Sequence, residues 1–203
     1  MPKPRTYLLT AAAIATALTL SACAGGTTDT GSSAAPSSPD SSASSVAFVD
    51  ADVEFAQMMI PHHEQAVEMS DDLLAKDGID QRIVDLATTI KDAQEPEIEQ
   101  LESWLTAWGM DDTSSSEMDM SEMDHGTDGM MSDDDMNALK SASSEDAGKL
   151  FLEQMIVHHQ GAIAMAQTEI DEGQNPDAMD MATNIVESQT AEIDVMNDIL
   201  ATL

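Results

Sequence analysis

The sequence contains a single cysteine, few basic residues and few aromatic residues. One cysteine excludes an intrachain disulfide. Only 7 lysine and arginine residues stand against 39 aspartate and glutamate residues, for a formal net charge of −32. Because phosphate contacts depend on lysine and arginine, this balance argues against a nucleic-acid partner. Strand-forming residues are sparse, whereas alanine, methionine, leucine and acidic residues are common, so the composition predicts an all-α fold.

The start of the chain has the pattern of an export signal followed by a tether. A short basic segment precedes an apolar stretch over residues 7–20, which is too short to span a membrane. Leu20-Ser21-Ala22-Cys23 resembles the bacterial lipoprotein cleavage box. We therefore predict a lipoprotein-type signal peptide over 1–22, a lipid on Cys23 that anchors the protein to the membrane outside the cytoplasm, and a flexible tether over 23–47. The alternative is an ordinary secretory signal with a chance cysteine.

The remaining residues, 48–203, are organised around a motif that occurs twice. Met59-Ile60-Pro61-His62-His63 returns 96 positions later as Met155-Ile156-Val157-His158-His159, and these motifs hold four of the five histidines. A second motif, Gln-x-x-Glu-Ile, begins at Gln94 and again at Gln189. Apolar residues at three- and four-residue spacing surround all four motifs, as on amphipathic helices. The sequence therefore predicts a four-helix bundle built from two repeated helical hairpins.

Capping residues give the expected helix ends. We predict a first helix capped by Asp52 and closed near Gly78, and a second that stops at Gly109. A short helix is expected after Ser132. In the second half, a helix over about 144–172 precedes one that begins at Asn175-Pro176, an N-cap followed by proline at the first helical position.

The segment between the two halves, residues 110–136, is a methionine-rich loop. It has no helical period as far as Met131 and is rich in glycine, serine and aspartate, yet it contains seven of the 16 methionines and the fifth histidine, His125. Long loops inside compact domains are usually functional or disordered. We predict metal capture here, with disordered low-complexity sequence as the alternative.

The repeated Met-Ile-x-His-His-x-x-Ala-x-x-Met pattern and the Met-Asp-His-Gly…Gly-Met-Met loop resemble the bacterial domain-of-unknown-function 305 family, whose members include CopM-like periplasmic copper-binding proteins. The resemblance covers about residues 50–203 and implies a ferritin-like helical bundle. It also implies metal ligands in both repeats and in the loop, namely Met59, His62, His63, Met69, Met155, His158, His159, Met165, Met123, His125, Met130 and Met131. Clustering in the loop adds Met118 and Met120.

The chemistry of these side chains favours soft metals. Thioether sulfur suits Cu(I) and Ag(I), and imidazole adds affinity for Cu(II). Met69 lies seven residues beyond His62, about 10.5 Å along a helix, so those two need another helix to share an ion. We predict extracytoplasmic sequestration or buffering of copper, with Cu(I) preferred and Cu(II) and silver as further candidates. The acidic residues are interpreted as a solvated face that attracts cations.

Two other classes of function remain open. A structural or interaction lipoprotein could carry the same helices without metal, with its histidines as packed core residues; the sequence identifies no protein partner. A ferritin-like di-metal oxidase would need Glu-x-x-His pairs on core helices. The one such match, Glu122 to His125, falls in the loop, so we predict that the protein is not an enzyme.

Overall fold

The structure, a computed structural model, describes residues 47–110 and 129–203. Their regular elements are all helices: α1 (Asp50–Leu74), α2 (Gln81–Trp108), α3 (Asp133–Ser141), α4 (Ser144–Glu172) and α5 (Pro176–Leu200). Over these two ranges there is no β-strand. The all-α prediction is therefore confirmed.

Helix ends follow the local capping chemistry in most places. Ser132 caps α3, and Asn175 caps α5 through its side-chain oxygen, which accepts from the backbone N–H groups of Asp177 and Ala178. Gly109 adopts a left-handed φ of +74° after the last residue of α2, a conformation that glycine reaches at little cost. These three ends were predicted correctly.

Both predicted ends of α1 were wrong. The helix begins two residues before Asp52, after Val49, and Asp52 occupies the third helical position, where its Oδ2 accepts from the Val49 N–H at 2.5 Å. At the other end α1 stops at Leu74 rather than near Gly78. Gly78, with φ of +81°, instead lies in the turn that leads to α2.

The two hairpins, α1–α2 and α4–α5, pack on each other mainly through α1 and α4. These two helices are antiparallel. The start of α1 shares a hydrophobic cluster with the end of α4, which we call the Phe55 cluster: Phe55, Ala56, Met59, Leu101, Leu105, Ala162, Ala166, Ala182 and Ile185. The end of α1 shares another with the start of α4, the Phe151 cluster: Ala66, Met69, Leu73, Ile83, Leu86, Ala87, Ile90, Leu139, Ala147, Phe151, Leu152, Met155, Met196 and Ile199.

Burial of apolar side chains in these two clusters stabilises the fold and offsets the cost of polar groups buried between them. Each fully buried leucine, isoleucine, methionine or phenylalanine side chain contributes about 1.5–3 kcal/mol relative to exposure. The short helix α3 adds to one of them, because its Leu139 is fully buried in the Phe151 cluster. α3 lies against both α1 and α4.

Several predictions concern residues outside the two described ranges. They are the signal peptide, the lipid on Cys23, the tether and the central part of the loop with Met118, Met120, Met123 and His125. None of the helices in the described ranges is long and apolar enough to cross a membrane.

Candidate metal centre

A layer of polar side chains crosses the molecule between the two hydrophobic clusters. We call it the polar layer. It is formed by the two repeated motifs and consists of His62, His63, His158, His159, Gln94, Gln189, Glu97 and Glu192. All four histidines and both glutamines are buried, with at most 3% of their surface exposed. Such a layer is unusual inside a helical core, since buried polar groups stabilise a fold only when they are paired.

His62 and His158 meet at the crossing of α1 and α4. Their ring centroids lie 3.7 Å apart with an angle of 36° between the planes. Each ring lies 6.4–6.5 Å from the adjacent histidine of its own motif. The duplication thus brings both histidine pairs into one group, as the sequence predicts for halves that pack face to face.

The outer histidine of each motif pairs with a carboxylate from the other helix of its hairpin. His63 Nε2 lies 2.8 Å from Glu97 Oε2, and His159 Nε2 lies 2.7 Å from Glu192 Oε2. Because a carboxylate can only accept, Nε2 carries the proton in both rings. In the neutral form of either ring, the lone pair lies on Nδ1, which is buried and has no hydrogen-bond partner among the described residues. A carboxylate that fixes a histidine in this way is typical of metal centres.

Other atoms of the polar layer also lack partners within the described ranges: both ring nitrogens of His158, and the side-chain oxygens of Gln94 and Gln189. Each such group costs about 1–3 kcal/mol in desolvation, which the two flanking clusters offset. Burial, and then the neighbouring His62, His159 and His63, lower the pKa of His158 well below its usual range. His158 is therefore a neutral imidazole at pH 7, the form that binds metal.

The predicted methionine ligands fall into three groups. Met59 and Met155 are fully buried, one in the Phe55 cluster and the other in the Phe151 cluster, and each lies one helical turn before the histidines of its motif. They therefore flank the polar layer from opposite sides. Met69 lies deeper in the Phe151 cluster.

Met165 lies in a separate cleft of about 240 Å³ between α1 and α4, together with Met58, Glu54 and Glu169. The structure thus brings Met59 and Met155, but not Met69 or Met165, next to the histidines of their own motifs. Of the predicted loop ligands, Met130 and Met131 are described, and both are half-buried.

The polar layer reaches the surface at Glu97. This residue lines a cleft of about 320 Å³ between α2 and α5, which also contains Trp104, Asp177, Asp180 and Met181. The Glu97 side chain is 24% exposed while its partner His63 is fully buried. A cation that enters this acidic cleft would therefore meet the carboxylate that holds His63.

The donor atoms suit a soft metal better than a hard one. Across the described residues, no three His, Cys, Asp or Glu side chains are arranged so that they could hold an ion between them. A site made from nitrogen and carboxylate oxygen alone is thus not preformed. Imidazole nitrogens combined with thioether sulfur from the adjacent methionines fit Cu(I) or Ag(I).

The sequence analysis did not assign the two carboxylates of the polar layer. Glu97 and Glu192 were recognised as part of a repeat, but acidic residues were interpreted as a solvated face. The signal was their recurrence: Gln-x-x-Glu follows the histidine motif at nearly the same distance in both halves. A charged residue repeated next to buried polar residues is a candidate partner for them.

A buried carboxyl pair, Asp52 and Glu169, lies at the end of the molecule where α1 begins and α4 ends. Burial alone would raise the pKa of Asp52, but the backbone N–H groups of Asn175, Val49 and Gln174 outweigh it and lower that pKa. Glu169 has the opposite balance: burial, with the adjacent Asp52 carboxylate, raises its pKa to about 8. Glu169 therefore holds a proton at neutral pH.

Comparisons with known proteins show the family of this chain. The family model described as Domain of unknown function (DUF305) matches residues 52–200. The chain belongs to the DUF305 family. No curated protein sequence matches it.

Solved structures of DUF305 proteins are similar to this chain. A DUF305 fragment from Deinococcus radiodurans is 30% identical with a TM-score of 0.68, and the match covers 76% of this chain and 98% of the fragment. A DUF305 protein from Streptomyces coelicolor, named as secreted, is 33% identical with a TM-score of 0.67, over 75% of this chain and 91% of that one. CopM in its Cu(II)-bound form is 31% identical with a TM-score of 0.63, over 74% of this chain and 96% of CopM. CopM has also been solved with Cu(I) and with silver.

Proposed function

We propose that this protein binds copper or silver ions outside the cytoplasm and sequesters or buffers them. The observation that carries the proposal is the polar layer, in which four histidines from two repeats meet in the core. Ring nitrogens of His63, His158 and His159 there have no hydrogen-bond partner among the described residues. Carboxylates orient two of the rings, and a buried methionine flanks the layer on each side. The similar protein CopM has been solved with Cu(I), Cu(II) and silver, which supports the same class of ion here.

Anaerobic titration of the purified protein with Cu(I), against a competing chelator, tests this proposal. We expect a tight step that Zn(II) does not reproduce, because thioether donors favour the softer ion. Equal affinity for Zn(II) would contradict a methionine-containing site. Absence of any binding would favour the structural lipoprotein, in which the polar layer only packs the core.

We propose further that the protein is not an enzyme. A di-metal oxidase needs several carboxylates converging on the ions. In the polar layer, Glu97 and Glu192 instead each pair with one histidine, His63 and His159. Metal-dependent consumption of oxygen by the iron-loaded protein would overturn this point.

The fold detail and the location are proposals of the same kind. The antiparallel packing of two hairpins supports a ferritin-like four-helix bundle, which a crystal structure would test.

The Leu20–Cys23 box and the relative named as secreted support an extracytoplasmic protein anchored by lipid on Cys23. We expect a Cys23→Ser variant to leave the membrane fraction or to remain unprocessed. Wild-type protein with an unmodified Cys23 thiol would contradict lipid anchoring.

A further inference from the structure

Residues 129–131 lie across the outer edge of the contact between α1 and α4. The Gln65 side chain of α1 holds the Met131 backbone at two points. Gln65 Nε2 donates to the Met131 carbonyl at 2.9 Å, and the Met131 N–H donates to Gln65 Oε1 at 2.7 Å. A side-chain amide that pairs with both backbone groups of one residue fixes its position and its direction.

Gly129 makes the matching contact with α4. Its φ is +73°, and a Cβ there would lie 2.6 Å from the Val157 carbonyl oxygen and 2.9 Å from the Gly161 Cα. Only glycine combines this conformation with so close an approach. The chain is therefore held against α4 at Gly129 and against α1 at Met131, with one residue between them.

The positions of these two contacts place that residue at the level of the polar layer. Gln65 follows His62 by three residues and Gly161 follows His158 by three, so each lies about 4.5 Å beyond its histidine along the helix. Gly129 contacts both Val157 and Gly161, which flank His158 along α4. Because Gln65 lies beyond His62 on the antiparallel α1, the two contacts lie near the level of the stacked rings. Met130 is midway between them.

Of the two methionines in this segment, only Met131 packs against a hydrophobic cluster. Met131 packs against the Phe151 cluster, whereas Met130 is half-buried and is not among the residues that pack against either cluster. On α4, His158 lies between the two residues that Gly129 contacts, Val157 and Gly161, and both of its ring nitrogens lack a hydrogen-bond partner among the described residues.

We propose that Gln65, together with the contact between Gly129 and Gly161, holds Met130 over the stacked His62 and His158 rings as a thioether donor to a soft metal ion. The inference rests on the proposed function and assigns the contacts that position one of its predicted donors. The centre then combines imidazoles of both helices with a sulfur from the segment that joins the two halves. Gln65 is a positioning residue, since it acts on the ion only through Met130.

A double-mutant cycle on the full-length protein tests this arrangement, with Cu(I) as the probe under anaerobic conditions. Met130→Leu removes the sulfur and keeps the volume, while Gln65→Ala removes the two hydrogen bonds. We expect each variant to weaken the tightest Cu(I) step about tenfold, by analogy with the loss of groups that orient ligands. The double variant should lose no more than either single one, because both changes remove the same donor.

Two matched variants serve as controls. Met136→Leu alters a nearby methionine of α3 that packs against the Phe151 cluster and is not a predicted ligand, and Gln160→Ala removes an exposed amide on α4 next to Gly161. Neither should change the tight step. X-ray absorption at the copper edge supplies a readout that a purely structural role of Gln65 would not move. Met130→Leu and Gln65→Ala should each lower the number of sulfur neighbours of bound Cu(I) by one.

The outcomes separate this inference from the proposed function. If the wild-type protein binds no Cu(I), the proposed function fails. If it binds tightly but the sulfur count stays unchanged in both variants, or the losses add in the double variant, Met130 is not positioned by Gln65 and the inference fails. Should Gln65→Ala not fold by circular dichroism, Gln65→Glu takes its place. Gln65→Glu keeps an acceptor for the Met131 N–H but loses the donor to the Met131 carbonyl. Its Cu(I) affinity should therefore fall between that of the wild type and that of Met130→Leu.

Discussion

The two halves of the molecule place the same residues in the polar layer and different residues at its edges. His63 pairs with Glu97 in the first half as His159 pairs with Glu192 in the second, at distances within 0.1 Å of each other. Gln65, by contrast, has Gly161 as its counterpart 96 positions later. One of these holds the Met131 backbone and the other lets Gly129 approach α4.

The ends of the molecule differ in the same way. Asp52 and Glu169 form the buried carboxyl pair where α1 begins. Their counterparts at the opposite end are Gly148, which lies against the Ile83 side chain, and Leu73, which is fully buried in the Phe151 cluster. Positions that carry the same residue in both halves form the polar layer, which the two halves share. Positions that carry different residues make contacts found in one half only.

The largest effect is expected where the halves match, at the histidines. The double variants His62→Ala/His63→Ala and His158→Ala/His159→Ala should each weaken the tightest Cu(I) step by at least about 100-fold, because losing ligands costs more than losing their outer partners. Removing all four should abolish that step. Competition titration after a circular dichroism check of folding measures this.

A control for the histidine variants lies in the loop. His125→Ala, outside the described residues, should lower binding capacity and spare the tight step, because the tight step belongs to the preorganised ligands of the polar layer. If one half could lose both histidines without effect, the centre would belong to the other half alone.

A smaller effect is expected at the carboxylates. Glu97→Gln and Glu192→Gln keep the side-chain length but remove the charge that orients His63 and His159, so each should weaken Cu(I) binding by about 10–100-fold. Glu99→Gln, an exposed change on the helix that carries Glu97, is the matched control.

The two carboxylates also differ in a way that kinetics can detect. Glu97 lines the acidic cleft between α2 and α5. We expect Glu97→Gln to slow Cu(I) uptake in stopped-flow measurements more than Glu192→Gln does. Equal rates would show that ions do not enter through this cleft.

The sequence predicted the helices better than the centre. Periodic apolar residues and caps such as Ser132 and Asn175 act within a few positions, so the elements could be read locally. The convergence of the histidines followed from the duplication. Asp52 was taken for a cap because its type suits one, but its carboxylate accepts from Gln174 and Asn175, more than a hundred residues away.

The methionines show the same limit. Periodicity placed four methionines on inward faces. Only the packing of α1 on α4 separates Met59 and Met155, next to the histidines, from Met69, deeper in the Phe151 cluster, and from Met165, in another cleft. The position of Met130 depends on the contact of the preceding Gly129 with α4, which no local pattern reveals.

The smallest effect is expected at an unmatched position, Glu169. Its pKa is raised to about 8 in the folded state, whereas in the unfolded chain it has the ordinary value near 4.3. Between these values the folded protein holds a proton that the unfolded chain releases. The free energy of unfolding should therefore fall as pH rises through this window, by a few kcal/mol at most.

Glu169→Gln should remove that slope, because the amide keeps the shape and cannot ionise. The variant should match the wild type near pH 4 and exceed its stability above pH 8. Asp52 acts in the opposite sense, since its lowered pKa gives stability that is lost only in more acidic solution. Urea unfolding of metal-free protein from pH 4 to 9 checks this, with the exposed Glu172→Gln as control. If Glu169→Gln kept the wild-type slope, the carboxyl would already be ionised in the fold, and the two ends of the molecule would differ less in their electrostatics than their residues indicate.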